Sequence, residues 1–239
     1  MAPRPQGKSP DRPAVMPLRE RISLSDEVYA ALRSALLSGA FGPGAQLHES
    51  EIAVQLGVSK TPVREAISTL RAKGLVTSGT TRGTVVAELD DEVVCQLYET
   101  RMLLEPEAVR QATWLADARL ISRARRLLAA SEQHGKSQDF NALSCSNRDF
   151  HELLYERCRN KIMRTMLNDM RDQVQLVAAN QWRRTSPTWE LERAEHLGIL
   201  GAVEAGDGEL AACLSREHLE RAAVRVQNHD VRDDGQQGS

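Results

Sequence analysis

Asn147 and His151 stand four residues apart in a stretch with helical periodicity, so their side chains share one helix face about one turn apart. His196 follows Glu195 in a second helical stretch that runs into AVEAGDGE, and His218 lies within SREHLERAA on a third. Three imidazoles and an amide oxygen from three helices can converge in a bundle core and bind a transition metal. Four such ligands leave room for water or a substrate carboxylate if the ion is five- or six-coordinate. From spacing alone, a histidine on a helix is more often an ordinary core or surface residue than a metal ligand. His48, His134 and His229 fall in loop or terminal settings and take that ordinary reading.

The elements that would position such a cluster follow from composition and periodicity. The chain has 239 residues, enough for two compact domains, and its 41% hydrophobic content can fill a core in each. Aromatic residues make up only 4%, so Leu, Ala, Val and Ile must do most of the packing, which favours helix over sheet. A net charge of −2 excludes a chain that grips nucleic acid over its whole surface and confines any such contact to a local patch. Cys95, Cys145, Cys158 and Cys213 lack the paired spacing of a zinc ribbon or redox motif and read as reduced, mostly buried thiols. No secretory signal and no apolar run of membrane-spanning length is recognised, so a cytoplasmic protein without a membrane partner is expected.

The reading divides the chain into a basic disordered tail at 1–19, a winged helix-turn-helix at 20–88, an all-helical domain at 89–229 and a polar disordered tail at 230–239. In the first folded part, Ser25 caps a helix carrying Val28, Leu32, Ala35 and Leu36 that stops at Gly39. A second helix covers about 50–56 and ends at Gly57, where a left-handed cap is wanted. A third is capped by Ser59 or Thr61, takes Pro62 in its first turn and buries Val63, Ile67 and Leu70. Leu75-Val76 and Thr84-Val85-Val86 then form a hairpin with a flexible tip, the wing. From Asp90 onward helices are expected at roughly 90–104, 105–116, 117–134, 138–158, 160–179, 188–205 and 207–228. The fold class is mostly α, a winged helix-turn-helix followed by an antiparallel helical bundle.

A helix presented in this way is shaped for the major groove of double-stranded DNA. Lys60, Thr61 and Arg64 crowd its exposed beginning, where a recognition helix meets base edges. Arg64 is suited to a bidentate contact with guanine, Lys60 to guanine or phosphate, and the N–H groups and hydroxyls of Ser59 and Thr61 to a phosphate. Arg82, next to Gly83 at the wing tip, can enter a minor groove or clamp the backbone. The competing reading is a solvated face with surface ion pairs such as Arg64 with Glu65.

LGVSKTPVREAISTLRAKGLV followed by RGTVV resembles the N-terminal domain of GntR-type bacterial transcription regulators over residues 24–87. The resemblance implies operator binding as a homodimer. Relatives often carry Arg where this chain has Ser50, a departure that bears on operator preference. NRDFHELLYERCRN, EHLGILGAVEAGDGELA and REHLERA, with YETRMLLEPEAVRQA before them, look like the FCD ligand-binding domain of the FadR-type branch over about 91–225.

That second resemblance implies a divalent metal held by an aspartate or asparagine and three histidines, positions that fall on Asn147, His151, His196 and His218. Three imidazoles favour zinc, with nickel or manganese as alternatives. The neutral amide of Asn147 offers a dication less than a carboxylate would. Arg101 has the pattern position of a cavity-facing residue that grips a small organic acid effector, against an alternative pairing with Glu105 on the surface. Arg148, about 100° around the helix from Asn147, should point away from that cavity.

The function expected is a ligand-responsive transcriptional regulator, a repressor and not an enzyme. A metal-dependent enzyme and a DNA-binding protein with a purely structural metal are the alternatives. The enzyme reading lacks a general base, because Glu195 adjoins His196 but points elsewhere on its helix.

Overall fold

The structure is a computed structural model that describes residues 23–79, 83–184 and 188–227, with the backbone alone described at 178–184 and 226–227. The tails expected at 1–19 and 230–239, and with them His229, lie outside the described residues, as does Arg82.

The N-terminal part begins with α1, Leu24–Leu37, whose cap is Ser23 and not Ser25. Ser23 Oγ accepts from the Asp26 N–H at 3.1 Å and the Asp26 carboxylate accepts from the Ser23 N–H at 3.1 Å, a reciprocal capping box. Ser25 has Val28 three residues on and so no side chain to close the same box. Helix α2, Glu49–Leu56, ends at Gly57 with φ 66°, the left-handed conformation its position called for. Helix α3, Lys60–Ala72, buries Pro62, Val63, Ala66, Ile67 and Leu70, and Ser59 holds its N-cap position without a side-chain capping bond.

The wing contains β2, Val76–Ser78, and β3, Thr84–Val86, paired antiparallel with Thr77 opposite Val85. A third strand, β1 at Gln46–Leu47, pairs antiparallel with β3 on its other edge and was not foreseen. Its two residues are too few for a period-2 signal. Leu32, Leu36, Ile52, Val63, Ile67, Leu70 and Val86 fuse helices and sheet into one core.

The rest of the described chain is helical: α4 Asp91–Thr113, α5 Ala118–Lys136, α6 Phe140–Tyr155, α7 Lys161–Arg184, α8 Trp189–Glu204 and α9 Gly208–Gln227. The helices expected at 90–104 and 105–116 are one, and Pro106 sits inside it. An interior proline costs about 3 kcal/mol by removing a hydrogen bond and crowding the preceding turn. Each fully buried aliphatic side chain returns about 1.5–3 kcal/mol. Leu97, Tyr98, Ala108, Val109 and Ala112 are all buried on this helix, so packing outweighs the local penalty.

Helix α4 packs mainly along α9, while α6 and α8 complete the box and α7 crosses α4 and α6. Helix α7 also meets the N-terminal part. The Arg33 guanidinium forks onto Asp172, with Nε 2.5 Å from Oδ2. Lys73 Nζ lies 3.1 Å from Asp169, Gln173 Nε2 donates to the Lys73 carbonyl at 2.9 Å, and Leu176 packs against the N-terminal core. The cysteines form no disulfide among the described residues; Cys158 is buried, but Cys213 is exposed, contrary to the mostly buried expectation.

Candidate metal and effector site

His151 on α6, His196 on α8 and His218 on α9 converge in the bundle core, each buried, with one ring nitrogen of each within 4.8 Å of the others. The Nε2 atoms of His196 and His218 stand 3.2 Å apart. Two nitrogens about 2.1 Å from a common ion lie roughly 3.0 Å apart at a right angle and roughly 3.4 Å apart at the tetrahedral angle. The observed spacing falls between these and fits a shared ion.

Two carboxylates orient the rings. Glu105 Oε1 lies 2.6 Å from His151 Nδ1, and Glu195 Oε2 lies 2.6 Å from His218 Nδ1. Each contact places a proton on Nδ1 and leaves Nε2 with a lone pair for a metal, the role of a carboxylate behind a ligating imidazole. Glu195 was expected to point away from the site. It does leave His196, but the α8–α9 packing brings it onto His218 from the neighbouring helix. Replacing it by the isosteric amide, Glu195→Gln, should lower metal affinity about 10–100-fold in calorimetric titration while the fold is retained.

The electrostatics keep His196 and His218 neutral. Burial, reinforced by His218 and His151, holds His196 well below its ordinary value. Burial also lowers His218 to about 4, against the opposing pull of Glu195. For Glu195, burial works to raise the carboxyl, but the hydrogen bonds from His218 and Arg225 overcome it and leave it at about 2. Glu105 likewise stays below the usual carboxylate range because Arg101 and His151 outweigh its burial.

These directions set a pH dependence for the metal-free chain. Histidines neutral in the folded state but protonated when unfolded stabilise the fold above about pH 6.5, and that contribution is lost as pH falls toward their depressed folded values. The carboxylate contributions disappear only at lower pH, below about 4.3. The thermal midpoint of chelator-treated protein should therefore fall between about pH 6.5 and 4.5. A midpoint flat across that window, followed by differential scanning calorimetry, would contradict neutral buried rings.

Asn147, one turn before His151 on α6, has a buried Oδ1 with no hydrogen-bond partner. Leaving such an acceptor unsatisfied costs about 1–3 kcal/mol, and a cation would satisfy it. It borders a cavity together with His151, Arg101, Arg148, Arg171 and Gln175. Arg101 does line the cavity. It also pairs with Glu105, Nε to Oε2 at 2.9 Å, but the pair is buried and not on the surface. Arg148 was expected to face away, yet it lines the same wall, because a long side chain at the adjacent helix position can still reach the space between α6 and α7. Arg171 and Gln175 on α7 were missed, since α7 carries no histidine and its place beside α4 and α6 depends on packing between helices.

In the N-terminal part, Ser59, Lys60, Thr61 and Arg64 all lie exposed at the start of α3, and Gly83 is exposed beside β3. Arg64 pairs with Glu49 on α2, Nε to Oε2 at 2.7 Å, and not with Glu65.

The described helix-turn-helix, its three-stranded wing and the histidine-lined bundle define a class, and comparison with known proteins agrees. The model of the gntR family of bacterial regulatory proteins matches residues 24–86, and that of the FCD domain matches residues 96–221, just over half the chain. The chain belongs to the gntR family of bacterial transcriptional regulators, in its FCD-containing form.

It is 29% identical to the Uxu operon transcriptional regulator of Escherichia coli (strain K12) over 231 residues, 84% of this chain and 85% of that protein. It is 28% identical to the probable D-xylose utilization operon transcriptional repressor of Paenarthrobacter nicotinovorans over 201 residues, 83% of this chain and 87% of that one. Among solved structures, Escherichia coli McbR/YncC superposes with a TM-score of 0.77 at 23% identity, covering 87% of this chain and 99% of that one, which shows the shared fold. A putative GntR regulator from Rhodococcus sp. RHA1 gives 0.74 at 25% identity, covering 85% and 97%. The protein is thus a DNA-binding transcriptional regulator. Among the described residues no helix is long and apolar enough to cross a membrane.

Proposed function

We propose that this regulator is a homodimeric repressor whose helical domain, 89–229, binds a small organic acid at a divalent metal, and whose winged helix-turn-helix, 20–88, reads an operator. The observation that carries this reading is the buried cluster of His151, His196 and His218 with the unpartnered Asn147 Oδ1 beside it. Those four residues would hold the ion, zinc in the first place, with nickel or manganese as alternatives. When bound, the ion supplies a positive centre for an effector carboxylate. Arg101 supplies a second, its guanidinium already fixed by Glu105.

At the operator, Arg64 takes a base edge, Lys60, Ser59 and Thr61 take phosphates, and Arg82 with Gly83 the groove beside the recognition helix. A two-fold dimer would place its half-sites about one DNA turn apart. The two sites are linked by α7, whose residues border the cavity while Asp169, Asp172 and Gln173 hold the N-terminal part. An effector that prefers one placement of α7 by ten- to a hundredfold, about 1.4–2.7 kcal/mol, biases operator occupancy by that amount.

Elemental analysis of purified protein, followed by thermal denaturation with and without chelator and with small organic acids, tests the reading. A bound ion and acid-dependent stabilisation that disappears on chelation are expected. Acid-dependent stabilisation unchanged by chelation would overturn the metal-linked site. Turnover of an added acid would favour the metal-dependent enzyme.

A further inference from the structure

We propose, resting on the effector reading above, that the cavity takes a dianionic organic acid: one carboxylate beside the histidine cluster and Arg101, and a second acidic group between Arg148 and Arg171. The charges on the cavity wall are three guanidiniums, those of Arg101, Arg148 and Arg171, against the single carboxylate of Glu105. Glu105 is already shared between Arg101 and His151, one oxygen to each.

The acids that pair directly with Arg148 and Arg171 lie on the outer side, and the buried Asp172 beside Arg171 is taken up by Arg33. Arg148 Nε and Nη2 donate to Asp149 Oδ1 at 2.9 and 2.6 Å, while its Nη1 donates to the neutral amide oxygen of Gln175 at 2.7 Å. Arg171 pairs with Glu152, and its Nε is buried without a hydrogen-bond partner. The two acids are 42% and 40% exposed, whereas the two arginines are only 18% and 20% exposed, so the acids sit on the solvent side. Solvent and salt weaken those outer pairs, leaving the guanidiniums undercompensated toward the cavity. Burial, and then the neighbouring Arg148, pull Arg171 below its ordinary value against the opposing pull of Asp172, the direction expected of a buried cation beside a like charge.

A carboxylate or phosphate accepting from two guanidiniums would satisfy that Nε and relieve the repulsion, with bidentate geometry available at both. Leu167 and Val174 on the same wall give an apolar surface for the carbon chain joining the two acidic groups. The second group would also bear on α7, the helix whose Asp169 and Asp172 hold Lys73 and Arg33 of the N-terminal part.

Calorimetry on the full, metal-loaded chain with matched acids tests this. Butanoate is compared with succinate and glutarate, and glycerate with 3-phosphoglycerate, so that a dicarboxylate and a phosphorylated acid are separate arms. The acids with a second acidic group should bind roughly ten- to a hundredfold more tightly than their monoanion partners. Arg171→Gln should bring succinate or phosphoglycerate affinity down to the monoanion level while leaving butanoate affinity and metal content unchanged. The acid series on the unaltered chain stands by itself should that variant fold poorly. Equal affinity of monoanions and dianions, or an Arg171→Gln loss that is the same for both, overturns the second subsite and leaves the effector reading intact. If none of the acids binds, both fall.

Discussion

His196→Ala should strip the purified protein of its ion and silence every response to organic acids, while the affinity for unrelated DNA stays as it was. The imidazole of His196 is buried between those of His151 and His218, with ring centroids 4.9 and 4.5 Å away, so no neighbouring side chain can take its place. Removing a ligating atom should cost more than the about 10–100-fold that loss of a carboxylate partner costs. The substitution also opens space beside Phe150, whose ring lies 4.6 Å from that of His196, and some thermal stability should go with it. Retained helical circular dichroism separates the loss of the ligand from the loss of the fold. An effector response surviving in this variant would remove the metal from the sensing mechanism.

Arg64→Ala should weaken operator binding by about 1–3 kcal/mol per half-site, roughly five- to a hundred-and-fiftyfold, and relax the preference for guanine at the contacted position. The pair that Arg64 makes with Glu49 does not compete seriously with DNA. Its guanidinium is 66% exposed, and such surface pairs are worth about 0–1 kcal/mol. Glu49→Gln should accordingly leave operator affinity unchanged or slightly raised. Lys60→Ala should act differently, weakening all sequences alike and reducing the salt slope by about one. Gel shifts on operator and scrambled duplexes across a salt series distinguish the two. If Arg64→Ala lowers both duplexes equally, the base-reading role is wrong and a phosphate contact replaces it.

The parts of this architecture that were legible in the sequence are those written in local chemistry. The left-handed cap at Gly57, the stripe Val63, Ile67 and Leu70, and the shift from strands to helices after Val86 all follow from spacing that one element carries by itself. The three histidines were visible because their side chains have few other uses as a set. Their meeting point was not, since it depends on how α6, α8 and α9 pack.

Packing between elements explains what was missed. Pro106 marks a helix boundary by local rules, but the buried face of α4 carries the helix through it. Helix rotation alone turns Glu195 from His196 and Arg148 from Asn147, and in each case an adjacent helix supplies a partner that one helix's geometry does not reveal. Ser23 outcompetes Ser25 as a cap only because Asp26 sits three residues beyond it. The interface between α7 and the N-terminal part rests on pairs separated by about a hundred residues, such as Lys73 with Asp169, which no periodicity reports.

The most direct trial is anomalous diffraction from crystals of the full chain, recorded on both sides of the zinc absorption edge and, if elemental analysis so directs, of the nickel or manganese edge. A buried ion is expected about 2.1 Å from the Nε2 atoms of His151, His196 and His218, with Asn147 Oδ1 turned toward it. An anomalous peak on surface thiolates, or none between those three rings in protein never exposed to chelator, would contradict it.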